Sequence, residues 1–104
     1  MVDVHVLKVP EHGGESLFAS GLLAAAEDRL EEAEASFSRA VEMYSRALSP
    51  SHPFVGEALI ARGRIRRRTG SDKEGCADLI AGTAMLPPQD PRTRRAVSDT
   101  SGCG

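Results

Sequence analysis

Between residues 30 and 48 the apolar side chains fall on one face of a helix. Leu30, Ala33, Phe37, Ala40, Val41, Tyr44 and Leu48 are separated by three, four or one, while Glu31, Glu34, Arg39, Glu42 and Arg46 point elsewhere. Asp28-Arg29-Leu30-Glu31 ahead of this stripe has the form of a capping box, an acceptor followed three residues later by a Glu that can reach back. Ser49-Pro50-Ser51-His52-Pro53 ends the helix, since proline cannot continue it and disfavours helical geometry just before it. Upstream, Ser16 to Glu27 are helix formers carrying Leu17, Phe18, Leu22 and Leu23 among Ala and Ser. Downstream, a third helix is expected to about Arg68, closed by Thr69-Gly70. Ser71-Asp72-Lys73-Glu74 reads as a second capping box, opening a fourth helix to Leu86. Gly75 and Gly82 inside it each cost roughly 1 kcal/mol against Ala, which makes it the weakest of the four.

The ends read differently. Val2, Val4 and Val6 alternate with polar residues, and Pro10 with Gly13-Gly14 would end such a segment. Residues 1–14 are therefore expected to be a leader, either a short strand or a flexible arm. Pro87-Pro88 stops the fourth helix, and residues 89–104 hold too few apolar side chains to pack, so a disordered tail is expected there.

One offset runs through the helical part. Glu15 matches Glu57, Leu17 matches Leu59, Ala19 matches Ala61, Gly21 matches Gly63, Leu23 matches Ile65 and Glu32 matches Glu74, all 42 residues apart. Ala33 with Gly75, Phe37 with Leu79 and Ala40 with Gly82 keep size or polarity at the same offset. A fixed period in this range signals one supersecondary unit copied and stacked. Stacked helical repeats offer binding surfaces more often than sites of chemistry.

Composition narrows the picture further. With 104 residues there is room for one domain, and with 4% aromatics and no Trp its core must be built from Ala, Leu, Val and Ile. A net charge of −2 argues against bulk binding to nucleic acid. No apolar run approaches the roughly 18 residues that span a bilayer. Cys76 and Cys103 show no metal or redox spacing, and without a secretory signal both read as free thiols in a reducing compartment, with a cytoplasmic location as the default. His5, His12 and His52 have no ligand spacing, so neither a metal nor another cofactor is expected.

Two helix pairs with small residues at the crossings and a closing proline resemble the tetratricopeptide repeat. Leu17 and Gly21, then Leu59 and Gly63, stand where the first helix of each unit carries a Leu and a small residue. Ala33, Phe37 and Ala40, then Gly75, Leu79 and Gly82, supply the small–bulky–small series of the second helix, and Pro87 takes the closing position. The usual unit is about 34 residues. The period of 42 here, the run Glu31-Glu32-Ala33-Glu34 leading to Arg39-Ala40, and Ser51-His52-Pro53 are similar to the kinesin-light-chain variety. The resemblance implies an all-α fold, a short α-solenoid of four antiparallel helices over residues 15–88, with repeats at about 15–53 and 54–88. Arg62 and Arg66 depart from it by standing at normally apolar positions, where each must snorkel or find a partner.

The resemblance also implies a function: a non-catalytic interaction module or scaffold that binds a peptide or partner protein in its concave groove. By its register Arg64, Arg67 and Arg68 would face the groove on the second copy, and Phe18 and Leu22, with Ala25 and Ala26, on the first. Arginines suit a carboxylate, since a guanidinium donates two parallel hydrogen bonds, so the expected partner is an acidic or C-terminal carboxylate peptide. The same five arginines in seven residues also read as a solvated basic helix end favoured by the helix dipole. Phe18 and Leu22 equally suit a homodimer contact, in which case the chain would be a self-associating fragment of a longer array. A small enzyme is the remaining class, but no nucleophile–base pair or phosphate loop is visible. Asp99-Thr100-Ser101-Gly102 superficially resembles an aspartic-protease loop but has no second carboxylate beside it.

Overall fold

The strongest sequence pattern becomes the central element. In a computed structural model, which describes residues 9–103 (side chains from residue 13), the stripe forms α2, Leu30–Ala47. Ala33, Phe37, Ala40 and Tyr44 are buried along it, with Leu30 and Val41 packed at the margins and Leu48 left exposed. Around it stand α1 (Val9–Ala26), α3 (Pro53–Arg68), α4 (Asp72–Ala84) and α5 (Pro91–Asp99), and no strand occurs among the described residues. The fold is all-α. Consecutive helices pack as neighbours, α1 on α2, α2 on α3, α3 on α4 and α4 on α5, in a body extending 52 × 29 × 20 Å.

The 42-residue offset has a physical meaning in the two hairpins. In the first, a Cβ placed on Gly21 would sit 2.5 Å from the Phe37 ring, and one on Gly14 2.5 Å from the Tyr44 ring. In the second, a Cβ on Gly63 would lie 2.7 Å from the Gly75 carbonyl and 3.0 Å from Leu79. A Cβ on Gly56 would lie 2.8 Å from the Gly82 carbonyl. Thus Gly14, Gly21, Phe37 and Tyr44 have their counterparts in Gly56, Gly63, Leu79 and Leu86, each bulky member being buried. Gly75 and Gly82 weaken α4 as an isolated helix but let its backbone lie against that of α3. Close approach offsets poor propensity.

Three apolar clusters follow from this stacking. Ala24, Ala33, Phe37, Ala61 and Ile65 join α1, α2 and α3, with Phe18 against them. Ala40, Tyr44, Val55, Ala58 and Leu59 continue the α2–α3 seam. Ile60, Leu79, Leu86 and Ala96 carry the core on to α5.

Several sequence expectations are corrected. The helix expected from Ser16 begins at Val9, because Pro10 is well suited to a first helical turn and Gly13-Gly14 are contact positions, not breakers. The short strand expected over residues 2–9 lies outside the described residues except at Val9, which instead opens α1. Neither capping box forms: Asp28 takes a left-handed backbone (φ 62°), and the N-cap residues of α2 and α4, Arg29 and Ser71, make no side-chain cap bond. α3 is capped instead by His52, whose Nδ1 accepts from the Phe54 amide at 3.0 Å, with Pro53 following in the first turn. The tail is not disordered. Asp90 caps α5 by accepting from the Arg92 amide at 2.8 Å, Pro91 starts the helix, and the Thr93 hydroxyl donates to the Pro87 carbonyl at 2.6 Å. Nor are the thiols free: Cys76 of α4 and Cys103 are joined by a disulfide.

Candidate binding groove

Five arginines on the last two turns of α3 cannot all face one way, and the helix sorts them into two sets. Arg62 and Arg66, one turn apart, turn toward α2 and α4. The Arg62 guanidinium donates to both oxygens of Asp78, Nε at 2.8 Å and Nη2 at 2.9 Å, and reaches Ser38 at 3.2 Å. Arg66 donates to Glu34 at 2.8 Å and to the same Asp78 at 3.1 Å. Burial alone would lower the Arg66 pKa, but the hydrogen bond it donates to Glu34 and the charges of Asp78, Glu34 and Glu74 outweigh it and the pKa is raised. These two departures from an apolar pattern are resolved by a carboxylate in the middle of α4. They clamp three helices together.

The second set is Arg64, Arg67 and Arg68, which line an open cleft of about 420 Å³ with Asp72, Leu79 and Asp99. Arg64 also borders a smaller depression of about 180 Å³ with Phe18, Leu22, Ile60 and Ala61, at whose rim stand Glu57, Arg92 and Arg95. A third, of about 210 Å³, brings Leu22, Ala25, Phe37, Arg64 and Arg68 around one surface hollow. The five residues singled out from the sequence therefore share a continuous face, with Arg64 common to all three hollows. They differ in freedom. The Phe18 ring stacks at a tilt on Phe37, 5.5 Å between centroids, and belongs partly to the core. Leu22 is half exposed.

Each arginine of the face already has an internal partner. Arg64 pairs with the Asp99 carboxylate at 2.5 Å. Arg67 donates to the backbone carbonyls of Asp99 at 2.7 Å and Ser101 at 3.0 Å, and lies 3.7 Å from Asp72. Arg68 reaches Asp28 in the α1–α2 turn at 2.9 Å. Residues from α5 and its exit thus belong to the site, and reading the tail as disordered hid Asp99, Arg92 and Arg95. The signal for them was Asp90-Pro91, an N-cap followed by a first-turn proline. Arg92 is itself fixed, donating to Glu57 at 2.6 Å and to Asp90 at 2.7 Å, and its pKa is raised by those bonds.

Among the described residues no group of three or more His, Cys, Asp and Glu is placed to hold a metal ion, and no helix is long and apolar enough to cross a membrane. Comparison with family models, curated proteins and solved structures finds no match.

Proposed function

We propose that this chain is a non-catalytic protein–protein interaction module of the tetratricopeptide kind, built on two repeats, which binds an acidic peptide segment on the face shared by its two hairpins. One observation supports it above all: Leu22 from the first hairpin and Arg64 and Arg68 from the second border a single hollow. An apolar contact beside paired guanidinium groups is complementary to a peptide that mixes carboxylates with aliphatic side chains. The 42-residue equivalence of buried positions supports the repeat reading. A cytoplasmic location is part of the proposal, and there a disulfide would form transiently and not persist.

The test is titration of the full chain with acidic and neutral peptides of equal length. The expected result is binding of the acidic set alone, weakening as salt rises. Replacing Arg64, Arg67 and Arg68 together by Ser should abolish it, and replacing them by Lys should weaken it, because an ammonium does not reproduce the two-pronged contact. Equal binding of neutral peptides would point instead to the apolar face of the first hairpin around Leu22, and self-association through Phe18 and Leu22 would show by light scattering as concentration-dependent mass.

A further inference from the structure

The end of α5 and its exit present to the arginine cleft the groups an acidic peptide would bring. The Asp99 carboxylate lies on Arg64, and the carbonyls of Asp99 and Ser101 lie on Arg67. The segment's other anchors sit toward the Pro91 end: Arg92 on Glu57, Thr93 on the Pro87 carbonyl, and Ala96 in the core beside Ile60 and Leu79. Of α5 only Thr93 and Ala96 are buried, and Val97 points into solvent. Its far end is held covalently, by the bond from Cys103 back to Cys76 on α4, whose Cα atoms are 5.6 Å apart. A charged contact of this exposure contributes modestly by itself, so the bridge has a large share in keeping the segment docked.

We propose that residues 91–103 are an internal ligand of the arginine cleft and that the Cys76–Cys103 bond is a redox latch holding it there, a proposal that rests on reading the cleft as a peptide site. A dithiol reductant opens the latch by ordinary exchange. Its first thiolate attacks one sulfur of the bridge, forming a mixed disulfide and releasing the other cysteine. Its second thiolate then displaces the remaining cysteine and closes the reductant's own disulfide. Two electrons and two protons end on Cys76 and Cys103 as thiols. With the bridge intact both ends of the segment are fixed, and an incoming carboxylate must displace Asp99 against a high local concentration. With the bridge open the segment keeps only its anchors toward the Pro91 end, the Arg92–Glu57 pair, the Thr93 bond and Ala96 packing. Its far end, with Asp99 and Ser101, can then leave Arg64 and Arg67 to an external carboxylate. Arg68, paired with Asp28 of the first hairpin, lies outside the latch.

The experiment uses the full chain, oxidised or reduced with dithiothreitol, together with the full-length variants Cys103→Ser and Asp99→Asn. Binding of a fluorescein-labelled peptide alternating Asp and Leu is titrated in each, and amide hydrogen exchange is followed over residues 91–103. Reduction, or Cys103→Ser, should tighten binding by about tenfold or more, as expected when a competent state goes from minor to dominant. Asp99→Asn should tighten it in the oxidised chain. Exchange should accelerate in residues 91–103 while the amides of Phe37 and Leu79 stay protected. Equal peptide binding in both redox states, or undiminished protection of residues 91–103 after reduction, would overturn the latch and leave the peptide site standing. Release of the segment with no peptide bound in any state would overturn the peptide site and the internal-ligand role with it.

Discussion

Asp78 is a buried carboxylate on a helix whose other buried residues are Gly75, Leu79 and Gly82, and it is there because Arg62 and Arg66 are. Removing one member of such a set leaves charges without partners inside a poorly solvated seam. Asp78→Ala should therefore cost roughly 3 kcal/mol by chemical denaturation, in the range for a broken buried pair. Glu42→Ala, which removes a fully surface partner 4.0 Å from Arg46, should stay within about 0.5 kcal/mol. Equal effects of the two would mean that the seam is wet. Asp90 offers a second check by pH. Its carboxyl is held down to about 2, first by the Arg92 side chain and then by the Arg92 amide. A carboxylate depressed on folding contributes stability above its unfolded value, near 4, and that contribution disappears as pH falls toward 2. The Arg92 amide resonance should move with a midpoint near pH 2, and Asp90→Asn should remove that step.

At the scale of elements, the α3–α4 crossing puts helix propensity and packing in opposition. Ala is the better helix former than Gly by about 1 kcal/mol. Yet a Cβ on Gly63 would press on the Gly75 carbonyl at 2.7 Å, and backbone cannot move aside as a flexible side chain can. Gly63→Ala should therefore destabilise by roughly 1–3 kcal/mol, the usual range for overpacking. A melting temperature equal to or above that of the parent would show that the helices do not approach so closely. Phe37→Ala in α2 should cost roughly 3–5 kcal/mol, since its ring fills the gap over Gly21 and leaves a large cavity. These elements were legible beforehand because periodicity depends on which faces are apolar, and Ala33, Phe37, Ala40 and Tyr44 say so directly. The caps were not legible in the same way. Asp28 and Ser71 have suitable side chains, but the chain turns there through backbone geometry and the capping bonds are not made.

For the whole molecule, what escaped the sequence reading is whatever depends on distant partners. Arg64, Arg67 and Arg68 could be assigned to one face from α3 alone, whereas Asp99, the group that meets them, lies in a stretch whose composition suggests no packing. The disulfide belongs to the same class, since 27 residues of separation carry no geometric information. Its effect on stability distinguishes two ways the C-terminal segment can belong to the fold. A loop of that length, closed in the unfolded chain, stabilises the native state by roughly 3–4 kcal/mol in the chain-entropy account. If residues 91–103 remain docked after reduction, the whole amount is lost on unfolding the reduced chain. If they are released, the native state also gains freedom, and the measured loss falls short by the free energy of that release. The expected outcome for Cys103→Ser is the smaller loss, with a denaturant slope reduced because less surface is left to expose. A loss of the full amount at unchanged slope would mean that α5 is a fixed part of the cooperative core and opens only when α3 and α4 do.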